Sequence, residues 1–200
     1  MRNLIILTFL VLSHQGFSQI LPSMHGVHDK KGLGGGSGSD TWDSSTKATC
    51  ITLSNGNLTS LESNCGVGWN SVYGSTGVSS GVTEWEITIN AYNDVDDNNY
   101  DVMVGIARSR NNPNKHFQNG GVGYGYILQN GGKYSNGFSN YGASYSVGDV
   151  IKISFNGDTN QLTFYKNGVS QGLAYTVTDG TYYLAVSYCD NTNTMITITD

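Results

Sequence analysis

Apolar and polar positions alternate most regularly in residues 147–172. Apolar side chains occupy every second position in two runs: Ile151, Ile153 and Phe155, then Leu162 and Phe164. A period of two is that of a β-strand with one buried face. Turn-forming residues fill 156–160 between the runs, and Asn167-Gly168 follows the second run with residues that accept a positive φ. The stretch therefore predicts two strands with hairpin turns.

The same alternation recurs through most of the chain. Ile51 and Leu53 precede an Asn-Gly-Asn turn at 55–57, which predicts a hairpin with the segment that follows. Two longer runs each place three apolar residues on one face: Trp85, Ile87 and Ile89, then Val102, Val104 and Ile106. Many short alternating strands joined by Gly/Asn turns predict an all-β fold, either a sandwich or a barrel.

The first forty residues do not follow this pattern. Residues 1–18 combine one early positive charge, an apolar run too short to span a bilayer and small residues at 16 and 18, which predicts a cleaved secretory signal peptide. Residues 19–40 become rich in glycine and serine, which indicates a flexible tether. Residues 41–200 form the predicted domain. We therefore expect an exported protein, extracellular or, in a bacterium, periplasmic.

Charge and hydropathy argue against nucleic-acid binding and against a membrane-spanning segment. The chain has ten Lys/Arg and fifteen Asp/Glu, a formal net charge of −5, and no basic stripe. Nucleic-acid binding depends on clustered Lys/Arg, so we expect no nucleic-acid partner. After residue 18 no segment is apolar enough to cross a membrane, so we expect no membrane span.

A series of short motifs occurs in a fixed order along the predicted domain. They are Gly81-x-x-x-Trp85-Glu86-Ile87, Val104-Gly105-Ile106-Ala107, Gly123-Tyr124-Gly125-Tyr126, Gly148-Asp149-Val150-Ile151, Leu162-x-Phe164-Tyr165-Lys166-Asn167-Gly168 and Tyr183-Leu184-Ala185-Val186-Ser187. With these motifs the chain resembles the SPRY domain family from residue 42 to residue 200. It is closest in style to microbial and phage SPRY modules. The resemblance implies an antiparallel two-sheet β-sandwich that binds a protein or peptide.

The resemblance also implies where a ligand sits. SPRY domains form a shallow groove from loops at one end of the sandwich, and on this chain those loops are 61–69, 108–121 and 187–193, with 130–145 beside them. The ligand-binding residues expected on this basis are Glu62, Ser63, Asn64, Arg108, Arg110, Asn112, His116, Phe117, Tyr134, Tyr141, Tyr188 and Asp190.

Enzyme chemistry has one candidate pair in the sequence. Glu84 and Glu86 share one face of a strand about 6.5–7 Å apart, a separation that glycoside hydrolysis accepts. They alternate with the inward Trp85 and Ile87, which instead indicates a solvated strand face. His116 is the single histidine of the predicted domain, and no phosphate loop or zinc-ligand spacing occurs. We expect no catalysis, no catalytic residue and no cofactor.

One acidic loop has the start of a calcium-binding pattern. Asp94, Asp96 and Asn98 have the Asp-x-Asp-x-Asn spacing of a calcium loop. Asn99 then stands where that loop needs glycine, and Gly105 where it needs a bidentate glutamate. These residues are a weak calcium candidate, and the alternative is a solvated hairpin loop; no other metal site is expected.

Three cysteines in an exported protein predict one disulfide and one remaining thiol. A Cys50–Cys65 bond closes a short local loop. A Cys65–Cys189 bond instead joins two loops that lie side by side in SPRY domains, and the resemblance therefore favours Cys65–Cys189. Both pairings stay open on the residues alone.

The function that these patterns favour is that of an exported, non-catalytic module that binds a protein or peptide through loops at one end of a β-sandwich. Two alternatives remain: a carbohydrate-binding or adhesion module, whose aromatic faces stack on sugar rings, and an extracellular structural protein that self-associates through sheet edges.

Overall fold

The computed structural model describes residues 40–93, 100–119, 122–190 and 192–200. The predicted signal peptide, all of the predicted tether except Asp40, and the calcium candidates Asp94, Asp96 and Asn98 lie outside these ranges. Within the described ranges no helix is long and apolar enough to cross a membrane.

Thirteen strands make up the described regular structure. They are β1 (Ile51–Ser54), β2 (Thr59–Glu62), β3 (Trp69–Tyr73), β4 (Val82–Ala91), β5 (Val102–Ala107), β6 (Gly123–Ile127), β7 (Lys133–Tyr134), β8 (Phe138–Ser139), β9 (Val150–Asn156), β10 (Gln161–Lys166), β11 (Val169–Thr176), β12 (Tyr183–Cys189) and β13 (Met195–Ile198).

The strands form two antiparallel sheets, which confirms the predicted all-β sandwich. One sheet has seven strands in the order β1-β2-β13-β4-β9-β10-β11, and the other has six in the order β3-β12-β5-β6-β7-β8. The predicted hairpins form where the Asn/Gly turns stand, and Asn55, Asn57, Asn160 and Asn167 all adopt a positive φ. Each run of alternating apolar and polar residues forms a β-strand, because a strand directs every second side chain into the core.

The hydrophobic core lies between the sheets. Its large members include Trp42, Trp85, Tyr126, Phe155 and Phe164, and none of these five exposes more than 3% of its surface. Along β4 and β9 of the seven-stranded sheet, buried side chains alternate with more exposed ones, whereas β5 and all of β12 after Tyr183 are buried. A strand that is buried on both faces must be covered on its outer face by another segment of the chain. The outer face of the six-stranded sheet is therefore covered, unlike an ordinary solvent-facing sheet surface.

Strand register determines which residues share that outer face. Tyr73, Ala185, Gly105, Gly125 and Tyr134 are successive partners across β3, β12, β5, β6 and β7, and paired residues point to the same side of a sheet. The row is small in its middle and aromatic at both ends. It therefore leaves a shallow trough in which another segment can lie.

The disulfide joins Cys50 to Cys65, so the favoured Cys65–Cys189 pairing was wrong. The two loops do meet, but through Gly68 N–H, which donates to Asp190 Oδ1 at 2.8 Å, and not through their cysteines. Cys65 instead lies across the open end of the β1–β2 hairpin from Cys50. The Cys189 side chain is buried, with Sγ 3.1 Å from Asp190 Oδ2.

Removing this disulfide is expected to lower the free energy of unfolding by about 3 kcal/mol, because a bond that closes a loop of 15 residues restricts the unfolded chain. Urea unfolding of the Cys50→Ala/Cys65→Ala double variant measures the loss. Dithiothreitol should destabilise the natural chain to the same extent and leave the double variant unchanged. A peptide map of the non-reduced protein that links Cys189 would contradict the pairing.

Candidate functional site

Loop 108–119, which connects β5 to β6, lies across the outer face of the six-stranded sheet. Two serines on neighbouring strands hold its backbone. Ser71 donates N–H to Pro113 O and its hydroxyl to Lys115 O, both at 2.6 Å. Ser187 Oγ accepts the N–H of Phe117 at 2.9 Å, and the two serine hydroxyls lie 2.7 Å apart. The loop is thereby fixed to the sheet by hydrogen bonds.

The trough left by the small residues seats the same loop. A Cβ at Gly123 would lie 2.6 Å from both Cδ2 and the carbonyl oxygen of Phe117, and one at Gly125 would lie 2.2 Å from Nε2 of Gln118. The buried Gln118 amide also donates to the sulfur of Met103 at 3.1 Å. The alternating glycines of β6 therefore create the space for the two side chains that anchor the loop.

Two adjacent concavities form where the loop meets the sheet. The first, the aromatic concavity, has a volume of about 260 Å³. Its walls come from β3, the segment before β5, β5 itself, loop 108–119 and β7: Trp69, Tyr100, Met103, His116 and Tyr134. Residues far apart in the chain thus converge on one space that is almost entirely aromatic.

The rings of this concavity stand at steep angles to one another. The centroids of Trp69 and His116 are 5.6 Å apart with ring planes at 76°, and those of His116 and Tyr134 are 6.0 Å apart at 80°. Beside them, Tyr100 meets the exposed Phe138 edge-to-face at 5.6 Å. Aromatic pairs prefer this edge-to-face arrangement, and each contact stabilises the positions of the rings by about 0.5–1.5 kcal/mol.

The second concavity, the asparagine concavity, has a volume of about 220 Å³ and a polar lining. It is lined by Tyr73, Ser109, Asn111, Asn112, His116, Phe117, Asn119 and Val122. His116 belongs to both concavities, so its ring forms the partition between them. Side-chain amides donate and accept hydrogen bonds, and this half of the site is therefore suited to polar groups.

Burial lowers the pKa of His116 below its usual 6.5 and keeps the ring neutral near pH 7. The Gln118 side chain opposes this shift, and the positive charge of Lys115 reinforces it. Nδ1 of His116 is buried and makes no hydrogen bond to any described residue. The partition between the concavities is therefore an uncharged aromatic wall.

Four of the residues that the sequence indicated line these concavities. His116 and Tyr134 line the aromatic one, and Asn112 and Phe117 line the asparagine one together with His116. Asn112 is exposed, His116 and Tyr134 are half-buried, and Phe117 is buried. The structure thus brings these four together on the outer face of the six-stranded sheet.

Three of the indicated residues are fully buried. Phe117 exposes 1% of its surface, and Tyr188 and Glu62 expose none. Phe117 anchors loop 108–119, and the Tyr188 hydroxyl lies 2.6 Å from Ser60 Oγ inside the sandwich. Burial raises the pKa of the Glu62 carboxyl, and donors on Thr192 oppose that shift. Phe117 also forms part of the floor of the asparagine concavity, whereas Tyr188 and Glu62 line neither concavity.

The charged residues among the predicted set hold neighbouring segments in place. Arg110 donates to Asp43 Oδ2 at 2.5 Å, and its guanidinium lies 4.1 Å from the centroid of the Tyr183 ring. Arg108 donates to Thr178 Oγ1 at 3.0 Å. These contacts fix the start of loop 108–119, where the chain leaves β5.

The remaining indicated residues lie elsewhere. Asp190 accepts the N–H of Gly68 and so positions the residue just before Trp69. Ser63 and the exposed Asn64 form the turn after β2, where Asn64 has a φ of 56°. The Tyr141 hydroxyl donates to Gly172 O at 2.6 Å, which ties that side chain to β11.

The sequence prediction missed Trp69, Tyr100 and Met103 as site residues. Trp69 ends one of the loops that the resemblance indicated, but it was not chosen. Met103 carried a usable signal, because it is apolar on the outward phase of β5, opposite to the inward Val102 and Val104. An apolar residue on the outward phase indicates that something covers that face.

The carboxylate pair lies away from both concavities. Glu84 is on β4 of the seven-stranded sheet, exposed, and its Oε2 is 3.1 Å from Nζ of Lys152 on β9. Among the described residues, no group of three or more His, Cys, Asp or Glu side chains is placed to hold a metal ion.

Comparisons with known proteins identify the family and similar structures. The SPRY domain family model matches residues 82–199. The SPRY domain of human HERC1 is similar in structure, with a TM-score of 0.68 and 24% sequence identity over 80% of this chain and 97% of that one. The TRIM65 PSpry domain is similar with a TM-score of 0.63 and 14% identity over 82% and 93%. At these identities the two structures show the fold alone. A search of the curated proteins gives no match.

Proposed function

The chain belongs to the SPRY domain family, and we propose that it is an exported binding module that docks a protein or peptide ligand across the aromatic and asparagine concavities. SPRY domains are protein-interaction modules and are generally non-catalytic. A fold alone does not name a ligand, so the proposal depends on the site. Its mechanism is docking without bond chemistry.

The observation that carries the proposal is the juxtaposition of an aromatic and a polar concavity on either side of His116. A peptide is itself an apolar side chain on a polar backbone. One side chain fits the aromatic concavity, while Asn111, Asn112 and Asn119 offer amides to the adjoining backbone. Aromatic anchors in a desolvated pocket typically provide most of the binding energy at such surfaces.

Preorganisation supports the same proposal. Ser71 and Ser187 bind the loop backbone, and Phe117 fills the trough beneath it. A site whose loop is already fixed loses little conformational entropy when ligand binds, and this favours recognition by a rigid surface. The fixed conformation of the loop is therefore consistent with docking of a ligand onto a preformed surface.

The disulfide supports export. Cys50 and Cys65 are bonded, and such bonds persist mainly in oxidising compartments outside the cytosol. The signal-peptide pattern of residues 1–18 independently predicts the same location. We propose that the protein works extracellularly or, in a bacterium, in the periplasm.

Peptide display on the immobilised protein, run beside a glycan array, tests the function. We expect a peptide motif, and we expect Tyr134→Ala to weaken the selected peptides by at least about tenfold, because it removes an aromatic wall. Tyr165→Ala is the matched control, since Tyr165 is also half-buried but lies on β10 of the other sheet. Saccharide binding without any peptide motif would replace the peptide proposal with the carbohydrate one.

A further inference from the structure

The aromatic concavity has an unusual lining for a pocket that holds an ordinary apolar side chain. Among the described residues that line it, four carry aromatic rings, the fifth is Met103, and none is Lys, Arg, Asp or Glu. Aliphatic side chains would accommodate an apolar group equally well. Aromatic rings add a negative electrostatic potential over each face, which attracts cations.

The rings that line the concavity are steeply inclined to one another. Trp69 and Tyr134 both stand at steep angles to His116, at 76° and 80°, so the three rings form adjacent walls and not a stack. Met103, which exposes 2% of its surface, forms part of the apolar lining. Perpendicular rings around one space are the arrangement with which proteins bind quaternary ammonium groups.

The charge state of the walls agrees with a cationic occupant. Burial keeps His116 neutral near pH 7, so the partition does not repel a cation. The chain has a net charge of −5, which favours the approach of cations over anions. Lys115, next to His116, is exposed and is not among the lining residues.

The size of the concavity and the hydrogen-bonding groups of its lining restrict which kind of cation fits. At about 260 Å³ the concavity is below the range of about 300–1,000 Å³ for drug-sized ligands, so it accommodates one compact group. A primary ammonium has three donors and a guanidinium has five, and the described lining offers them only hydroxyl and imidazole acceptors and no carboxylate. A fully alkylated ammonium has no donor to satisfy.

We propose that the aromatic concavity binds a quaternary ammonium group, presented by the ligand as a trimethylated lysine side chain whose backbone lies in the asparagine concavity. This inference rests on the proposed peptide-binding function and specifies the anchor that the site recognises. Trp69, Tyr134 and His116 contact the methyl groups of the cation, and Tyr100 and Met103 complete the enclosure.

Intrinsic fluorescence provides a direct test, because the chain has three tryptophans and two of them, Trp42 and Trp85, are buried in the core. Trp69 therefore reports on the concavity. Tetramethylammonium chloride, titrated at constant ionic strength against sodium chloride, is expected to give a saturable fluorescence change. Choline should do the same, whereas its neutral isostere 3,3-dimethylbutanol should bind about tenfold more weakly because it lacks the charge.

Variants locate the binding. Tyr134→Ala is expected to weaken tetramethylammonium about tenfold, Tyr134→Phe to keep the affinity within about twofold because the ring remains, and Tyr165→Ala to change nothing. Thermal unfolding of each variant checks that it is folded. Equal binding of choline and 3,3-dimethylbutanol, or no saturable response to tetramethylammonium, would overturn the proposal.

Two further measurements identify the source of the ammonium group and separate the ammonium specificity from the proposed peptide-binding function. A peptide with one trimethyl-lysine should bind more tightly than tetramethylammonium, since its backbone also reaches the asparagine concavity; equal affinities would overturn the assignment to a peptide. Displayed peptides that bind through Tyr134 with neutral anchors would leave the proposed function standing and refute the ammonium specificity alone.

Discussion

Phe117→Ala is expected to lower the free energy of unfolding by about 3–5 kcal/mol and to release loop 108–119 from the sheet. The ring exposes 1% of its surface and fills the trough over Gly123 and Gly125. Its removal leaves a cavity between loop and sheet that the small residues beneath cannot fill. Without this apolar anchor, the hydrogen bonds from the loop to Ser71 and Ser187 open more often.

Urea unfolding measures the stability change, and hydrogen exchange of the loop amides measures the release. Phe155→Ala is the matched control, because Phe155 is equally buried but lies between the sheets. It should cost similar stability without increasing exchange in the loop. Gly123→Ala approaches the same ring from below, where its Cβ meets Phe117 at 2.6 Å, and should also release the loop. Unchanged loop exchange in both Phe117→Ala and Gly123→Ala would disprove the anchoring role.

Asp40→Ala is expected to destabilise the domain by about 3 kcal/mol. Asp40 Oδ1 accepts the N–H groups of Thr41, Ser75 and Thr76 at 2.9–3.0 Å, and Oδ2 accepts Nε1–H of the buried Trp85 at 3.2 Å. Each buried donor left without an acceptor costs about 1–3 kcal/mol. One carboxylate therefore fastens the start of the domain to the turn after β3 and to the core.

Calorimetric or urea unfolding checks this value. Asp158→Ala is the control, since Asp158 Oδ1 accepts a single exposed N–H, that of Gly81, at 2.9 Å. Its loss should cost only about 0.5–1.5 kcal/mol, the net contribution of one hydrogen bond. Equal effects of the two substitutions would show that the Asp40 network adds nothing beyond a surface contact.

Part of the candidate site was accessible from the sequence. The family resemblance indicated the loop that carries Asn112 and His116, and it pointed to the flanking segment that carries Tyr134. It could not separate residues that line the surface from residues beneath it. Phe117 is adjacent to His116 in the chain, yet it is buried because its side chain turns toward the glycines of β6.

The family resemblance was also insufficient to predict which cysteines are bonded. The resemblance brought the loops of Cys65 and Cys189 together, and they do meet through Gly68 and Asp190. Adjacent loops do not by themselves align two sulfur atoms, since a disulfide needs both side chains to face each other. The direction of the Cys65 side chain, toward Cys50, is decided by how the β1–β2 hairpin closes.

The sequence by itself determined the all-β class, the longer alternating strands with their Asn/Gly turns, and the family. Alternation with a period of two and Asn/Gly turns act over a few residues, so runs such as Ile151–Phe155 can be interpreted locally. The tertiary structure alone decided which outward residues converge. Trp69, Met103 and Tyr134 meet because the six-stranded sheet has the order β3-β12-β5-β6-β7-β8, which long-range pairing establishes and no local pattern encodes.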